Sequence, residues 1–187
     1  MQRYSPTQIA LHWLIALLII AALIMGWYFN NMQITSPASF KLKASLIAWH
    51  KWVGISVLAL AVLRLIWRAR CGAPAPLPGQ PAWQLKAAGL IHLLLYALML
   101  AMPLVGWLMS SAKGYPVVWF NLVQLPDLVE KNEALGHVLG WSHALMAYAI
   151  VAIVGLHALA ALKHHFIDRD ATLARMLLSC RKGDPQA

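Results

Sequence analysis

The chain has 187 residues, of which 61% are hydrophobic and only 11% charged, with nine tryptophans and a formal net charge of +9. At that composition a water-soluble fold lacks the polar surface to cover itself, so the chain reads as an integral membrane protein. Its apolar runs are continuous rather than alternating, which excludes a β-barrel and leaves an all-α class, a membrane-embedded four-helix bundle.

Four stretches are long enough to span a bilayer as helices: Thr7 to Phe29, Ser45 to Trp67, Lys86 to Ser110 and Leu135 to Leu162. The first has a long apolar core, contains His12, and runs into Gly26, Trp27 and Tyr28 rather than a small-residue cleavage site, so it reads as a retained helix and not a signal peptide. The second carries His50, then Gly54 one turn on, then Arg64 toward its far end. The loop from Ala69 to Gln84 holds Pro74, Pro76, Pro78 and Pro81, a composition that makes an extended connector with no room for a catalytic unit.

The third span carries His92 and Gly106. After it, Ser111 to Ala134 includes the apolar run Val117 to Phe120 with Leu122, Val123 and Leu125, a candidate for lying on the membrane surface or covering one end of the bundle. The fourth span holds His137, His143 and His157, and is followed by His164, His165 and a short basic tail that reads as a solvated, lipid-attracted end. No internal repeat at solenoid spacing is visible.

Basic residues orient the bundle. An even number of spans puts Arg3, Arg64, Arg68, Arg70, Lys86, Lys163, Arg169, Arg175, Arg181 and Lys182 on one side against Lys41, Lys43, Lys51, Lys113 and Lys131 on the other. This bias predicts that both termini are cytoplasmic. Tryptophans agree with the boundaries: Trp13, Trp67 and Trp83 fall at the inner ends, and Trp27, Trp49, Trp52, Trp107, Trp119 and Trp141 at or near the outer ones. Cys71 and Cys180 both fall on the reducing side, so no structural disulfide is expected.

His143 and His157 are fourteen residues apart with no charged residue between them. Fourteen residues make almost four helical turns, so both imidazoles face nearly the same side at levels about 21 Å apart. Ionisable side chains inside a bilayer are costly and usually functional, so the pair points to two stacked sites. At the inner level lie His12, His92 and His157; at the outer level lie His50 and His143, with His137 nearer the surface. The same interval recurs on each helix, as His12 with Gly26, His50 with Arg64 and His92 with Gly106.

A planar macrocycle standing between helices takes two axial imidazoles from opposite sides and small residues where its edge meets a backbone. Gly26 and Gly106 are placed to clear space in the outer layer, and Gly54 beside His50. Arg64 is a candidate to pair with a haem propionate, or else an arginine reaching the inner interface beside Arg68. Depth alone selects His50 and His143 for the outer level and leaves three candidates for the inner one. A lone membrane histidine more often hydrogen-bonds a neighbouring helix, and that duller role stays open for His92 and His137.

These segments, QIALHWL, IAWHKWVGISVLALAVLRLIWR, GLIHLLLYALMLAMPLVGW and HALMAYAIVAIVGLHALAALKHHF, together resemble the bacterial di-haem cytochromes b of the b(561) type over nearly the whole chain. The resemblance implies a single transmembrane cytochrome b domain over residues 1–187, two b haems with bis-histidine ligation, and electron exchange with quinone. It implies that His50 and His143 hold the outer haem iron and His12 and His157 the inner one, with His92 as a supporting or quinone-contacting residue. His164 and His165 are then either a water-exposed pair or a proton route to quinone.

Iron held by two imidazoles has no open position, so electrons pass through the haem edge. The activity implied by the resemblance is a superoxide:ubiquinone oxidoreductase in the bacterial inner membrane, in which superoxide outside reduces ubiquinone through the two haems and oxygen is released. The outer loops carry five basic residues against Asp127, Glu130 and Glu133, and Lys41, Lys43, Lys51 and Lys113 are the candidates for steering an anion. The alternative is a cytochrome b subunit that links quinone to a partner dehydrogenase or hydrogenase. A histidine-lined carrier of metal ions or protons is disfavoured, because the spans contain no Asp or Glu. Lipid is the surrounding partner, no nucleic-acid partner is expected, and a protein partner is left open.

Overall fold

A computed structural model of the chain describes residues 3–177. Four long helices dominate: α1 Pro6–Asn31, α2 Pro37–Cys71, α3 Ala82–Ala112 and α4 Glu133–Phe166. All four are long and apolar enough to cross a membrane. The end at which α1 starts and α4 finishes is the inner end.

The helices run past the apolar spans because caps, not hydropathy, set their ends. Ser5 caps α1 by accepting from the Gln8 amide, and Ser36 caps α2 by accepting from the Ser39 amide; a proline follows each at the first helical position. Helix α2 therefore starts at Pro37, eight residues before the apolar span, and its first turns carry Lys41 and Lys43. It stops at Gly72, whose φ of +69° suits only glycine well. Asn132 caps α4 through the Leu135 amide at 3.0 Å.

Helix α1 packs along α2, α3 packs along α4, and a lesser α2–α3 seam joins the two hairpins. Among the described residues the tightly buried apolar ones are few: Ile9, Leu11 and Ile15 on α1, Trp52, Val57 and Ala61 on α2, Ala112 on α3, Val117 in the segment after it and Ile150 on α4. The segment between α3 and α4 holds a two-stranded antiparallel hairpin, β1 Val118–Trp119 and β2 Val123–Gln124. Its turn places Phe120 and Asn121 at positive φ, the hand that matches strand twist.

Two indoles tie this hairpin to α2. Trp52 Nε1 donates to the Val118 carbonyl at 2.6 Å, and Trp119 Nε1 donates to Ser56 Oγ at 3.3 Å. The chain after α4 is also fastened. The Met176 carbonyl accepts from Trp13 Nε1 at 2.7 Å and the Ala75 carbonyl from Arg175 Nη1 at 2.7 Å, so the segment through residue 177 folds under the bundle instead of forming a free basic tail. Cys71 is a free, exposed thiol, while Cys180, Arg181 and Lys182 lie outside the described residues.

Candidate functional site: two levels of facing histidines

At the outer level, His50 of α2 faces His143 of α4 with ring centroids 6.1 Å apart and planes at 73°. Each ring is seated against the neighbouring helix of its own hairpin. His50 Nδ1 lies 3.0 Å from the Ala22 carbonyl, and a Cβ built on Gly26, one turn later, would stand 3.4 Å from His50 Cε1. His143 repeats the arrangement: a Cβ on Gly106 would stand 3.0 Å from its Cε1. Its Nδ1 is buried, turned toward the Met102 carbonyl one turn before Gly106, but outside hydrogen-bond geometry.

A carbonyl at Nδ1 makes that nitrogen the N–H donor and leaves Nε2 with the free lone pair, the state in which histidine ligates a metal. Gly26 and Gly106 thus make room for the imidazoles themselves, where the sequence pattern had assigned them to the edge of a macrocycle. Gly54 has nothing within 4 Å of its would-be Cβ.

At the inner level, His157 of α4 faces two imidazoles. His12 of α1 lies 6.1 Å away and His92 of α3 5.4 Å away, centroid to centroid. Arg64 of α2 is half-buried and turned into the bundle. Its Nε donates to Tyr96 Oη at 3.1 Å, one turn after His92, and its Nη1 to the Gln8 carbonyl at 3.0 Å, one turn before His12. Gln8 is itself anchored, since its side-chain amide donates to the Gly72 carbonyl at 2.8 Å.

Do these rings fit a six-coordinate iron? Metal–imidazole bonds are about 2.0 Å long and a ring centre lies roughly 1 Å beyond its nitrogen, so trans imidazoles have centroids about 6 Å apart. The His50–His143 and His12–His157 separations, 6.1 Å each, match that span. The two glycine notches seat each ring against the backbone of a partner helix, the Ala22 carbonyl orients His50, and the buried Nδ1 of His143 is left without a partner.

Gly106→Ala is expected to disturb the outer level more than Gly26→Ala, because its new methyl would meet His143 at 3.0 Å rather than 3.4 Å. Overpacking of this kind costs about 1–3 kcal/mol. Haem per protein, measured by pyridine haemochrome, checks the order of the two variants.

The other candidate residues divide. Lys43 Nζ donates to the Met32 carbonyl at 3.1 Å, and Lys41 lies exposed on the same turns of α2. Lys51 and Lys113 gather nearer the outer histidines. Lys51 Nζ donates to the Pro116 carbonyl at 3.3 Å. The stem of Lys113 lies across Gly136, with Cγ 2.9 Å from its would-be Cβ, and Nζ reaches to 3.6 Å from that of Gly140, three residues before His143. This glycine track on α4 aims the ammonium along the helix toward the outer level, and nothing in the spacing of the lysines alone reveals it. His137 is exposed beside Glu133, away from the facing pairs.

Past α4, His164 and His165 part company. His164 Nδ1 lies 2.7 Å from Asp170 Oδ2 and 3.1 Å from Asp168 Oδ2, with the side chain only 18% exposed. The loop returns through Arg169 at φ 52°, and the Thr172 amide donates to Asp170 Oδ1 at 2.8 Å. Burial pushes the Asp170 carboxyl up, but the hydrogen bonds from Thr172 and His164 outweigh it and hold the group below its ordinary value. His165 is exposed against Phe166.

The family model described as prokaryotic cytochrome b561 matches residues 3–178. The chain is similar to cytochrome b561 homolog 2 of Escherichia coli strain K12, 33% identical over 94% of this chain and 92% of that protein. It is similar to cytochrome b561 homolog 1 of the same strain, 34% identical over 95% of this chain and 98% of the relative. A protein of Yersinia pestis named probable superoxide oxidase CybB is 32% identical over 94% of this chain and 96% of its own length.

Proposed function

Because the chain belongs to the prokaryotic cytochrome b561 family, whose members are membrane b-type haem electron-transfer proteins, we propose that it is a di-haem superoxide:ubiquinone oxidoreductase of the bacterial inner membrane with both termini cytoplasmic. The observation that carries the reading is the pair of facing imidazoles at each of two levels, both 6.1 Å apart. His50 and His143 hold the outer haem iron, and His12 and His157 the inner one. Bound haem supplies one-electron redox chemistry without an open coordination position. Superoxide as donor is supported by the name of the Yersinia pestis relative and by the lysines near the outer histidines.

The chain's own residues bind, orient and supply protons. Lys113 and Lys51, ahead of Lys41 and Lys43, draw a small anion to the outer level. Arg64 is the partner for an inner propionate. His92 stands beside the inner pair as a supporting or quinone-contacting residue. In the net reaction two superoxide anions leave as dioxygen, and one ubiquinone takes up two electrons and two protons. His164 is the better placed of the two terminal histidines to hand on a proton. It follows His157 by seven residues, on the same face of α4 and about 10 Å further inward, and Asp170 leaves its Nε2 free to exchange.

The test records the haem spectrum of detergent-purified protein while enzymatically generated superoxide is supplied, with and without superoxide dismutase. Reduction that dismutase abolishes, followed by reoxidation on adding ubiquinone, is the expected result. Haem unmoved by superoxide would instead favour a quinol-linked cytochrome with a protein partner. In the same assay, Lys113→Gln is expected to slow haem reduction about three- to tenfold at low salt, with the gap closing at high salt, while Lys41→Gln stays within about twofold.

A further inference from the structure

The two helical hairpins are copies of one plan. His12 and Gly26 of α1 stand where His92 and Gly106 stand on α3, each pair fourteen residues apart, and His50 of α2 stands where His143 stands on α4. The structure repeats the likeness in detail, since each outer imidazole rests against a glycine of the preceding helix and toward the carbonyl one turn before it. The copies differ at one of these positions: fourteen residues on, α4 has His157 and α2 has Arg64. The outer level is therefore nearly symmetric, and the inner level holds three imidazoles and one guanidinium.

That guanidinium is fixed, and no protein group offsets its charge. Its two hydrogen-bond partners, Tyr96 Oη and the Gln8 carbonyl, are neutral, and among the described residues no carboxylate pairs with it. An arginine on a flexible stem near a helix end would ordinarily turn toward the interface. Here Tyr96 on α3 and Gln8 on α1 hold it from both sides, between the turns that bear His92 and His12. Lys113, the cation aimed at the outer level, is exposed, so water and salt weaken its field there.

We propose that Tyr96 and Gln8 are positioning residues that hold Arg64 beside the inner site, and that this fixed positive charge raises the inner haem's reduction potential above the outer one's. A nearby cation favours the form of the iron with less positive charge, which is the reduced form, and the effect is larger where water is excluded. At the outer level the nearby cations are lysines at the water-facing end: Lys113 is exposed, and Lys51 donates to the Pro116 carbonyl at 3.3 Å in an exposed hydrogen bond, so solvent weakens both fields. Electrons arriving at the outer end thus run downhill to the inner end, and the direction is built into the one of the four compared positions at which the hairpins differ. This inference rests on the two-haem reading.

The test is a spectroelectrochemical redox titration of the purified full-length protein, with the inner component identified as the one that remains in His143→Ala. Arg64→Gln is expected to lower the inner component's reduced-to-oxidised ratio at fixed potential about tenfold, which is a shift of about 59 mV for one electron. Tyr96→Phe is expected to lower it about threefold, and Arg64→Lys to restore most of the loss. The outer component moves less than twofold in each. If Arg64→Gln loses haem, Tyr96→Phe and Arg64→Lys decide alone. Two components that ignore all three substitutions, or that shift together, overturn the proposal and leave the two-haem reading standing. A wild-type titration that fits one component overturns the proposal, and one haem per polypeptide by pyridine haemochrome overturns the two-haem reading.

Discussion

His143→Ala is expected to remove one of two b-type spectral components, and His50→Ala to remove the same one. The reason lies in how the two rings are held. Each is fixed by a different hairpin, His50 against Gly26 and the Ala22 carbonyl, His143 against Gly106, and they meet with centroids 6.1 Å apart. Removing either imidazole would leave the outer site with a single imidazole and no substitute at that level among the described residues, because His137 is exposed and turned toward Glu133. Loss of a supporting group around a metal costs about 10–100-fold in affinity; loss of a ligand is expected to exceed that. The double variant should be no worse than either single one, since both act on one unit. Absorbance of the reduced protein together with haem per polypeptide gives the answer, with His137→Ala as the control that keeps both components. Should His50→Ala and His143→Ala remove different components, the pairing is wrong.

The bundle was legible from composition and continuous apolar runs, and the two levels from the fourteen-residue interval, because a transmembrane helix ties sequence number to depth. Depth says nothing of angle. It put His12, His92 and His157 together without saying which pair faces which, and it left Arg64 equally able to turn inward or to the interface. The partners that turn it inward, Tyr96 and the Gln8 carbonyl, come from two other helices, and one of them is backbone. Carbonyl partners such as Ala22 carry no side-chain signal at all. The ends of α2 lie beyond its apolar span, because a hydropathy window sees the span and not the Ser36–Ser39 capping box that starts the helix. His164 separated from His165 only when the loop was seen to return through Arg169 and set Asp170 against it.

At the inner level the decisive comparison is among three single substitutions. His157→Ala and His12→Ala are each expected to remove the second spectral component, and His92→Ala to leave it in place. His157 is common to both candidate pairs, so its loss is predicted whichever partner it has. The choice between the partners turns on distance. The His12 ring stands 6.1 Å from His157, the same as the outer pair, whereas His92 stands 5.4 Å away. Two metal–nitrogen bonds in line, with the two ring halves beyond them, need about 6 Å, and the closer ring would have to retreat before an iron fitted between. Low-temperature electron paramagnetic resonance reports the axial ligands directly, so a replacement by His92 would appear as a changed low-spin signal rather than as silence. If His92→Ala erases the inner component and His12→Ala spares it, the inner iron is held between α3 and α4. Both iron sites would then draw one ligand from α4 and the second from α2 or α3, and α1 would contribute packing and the Gln8 carbonyl but no ligand.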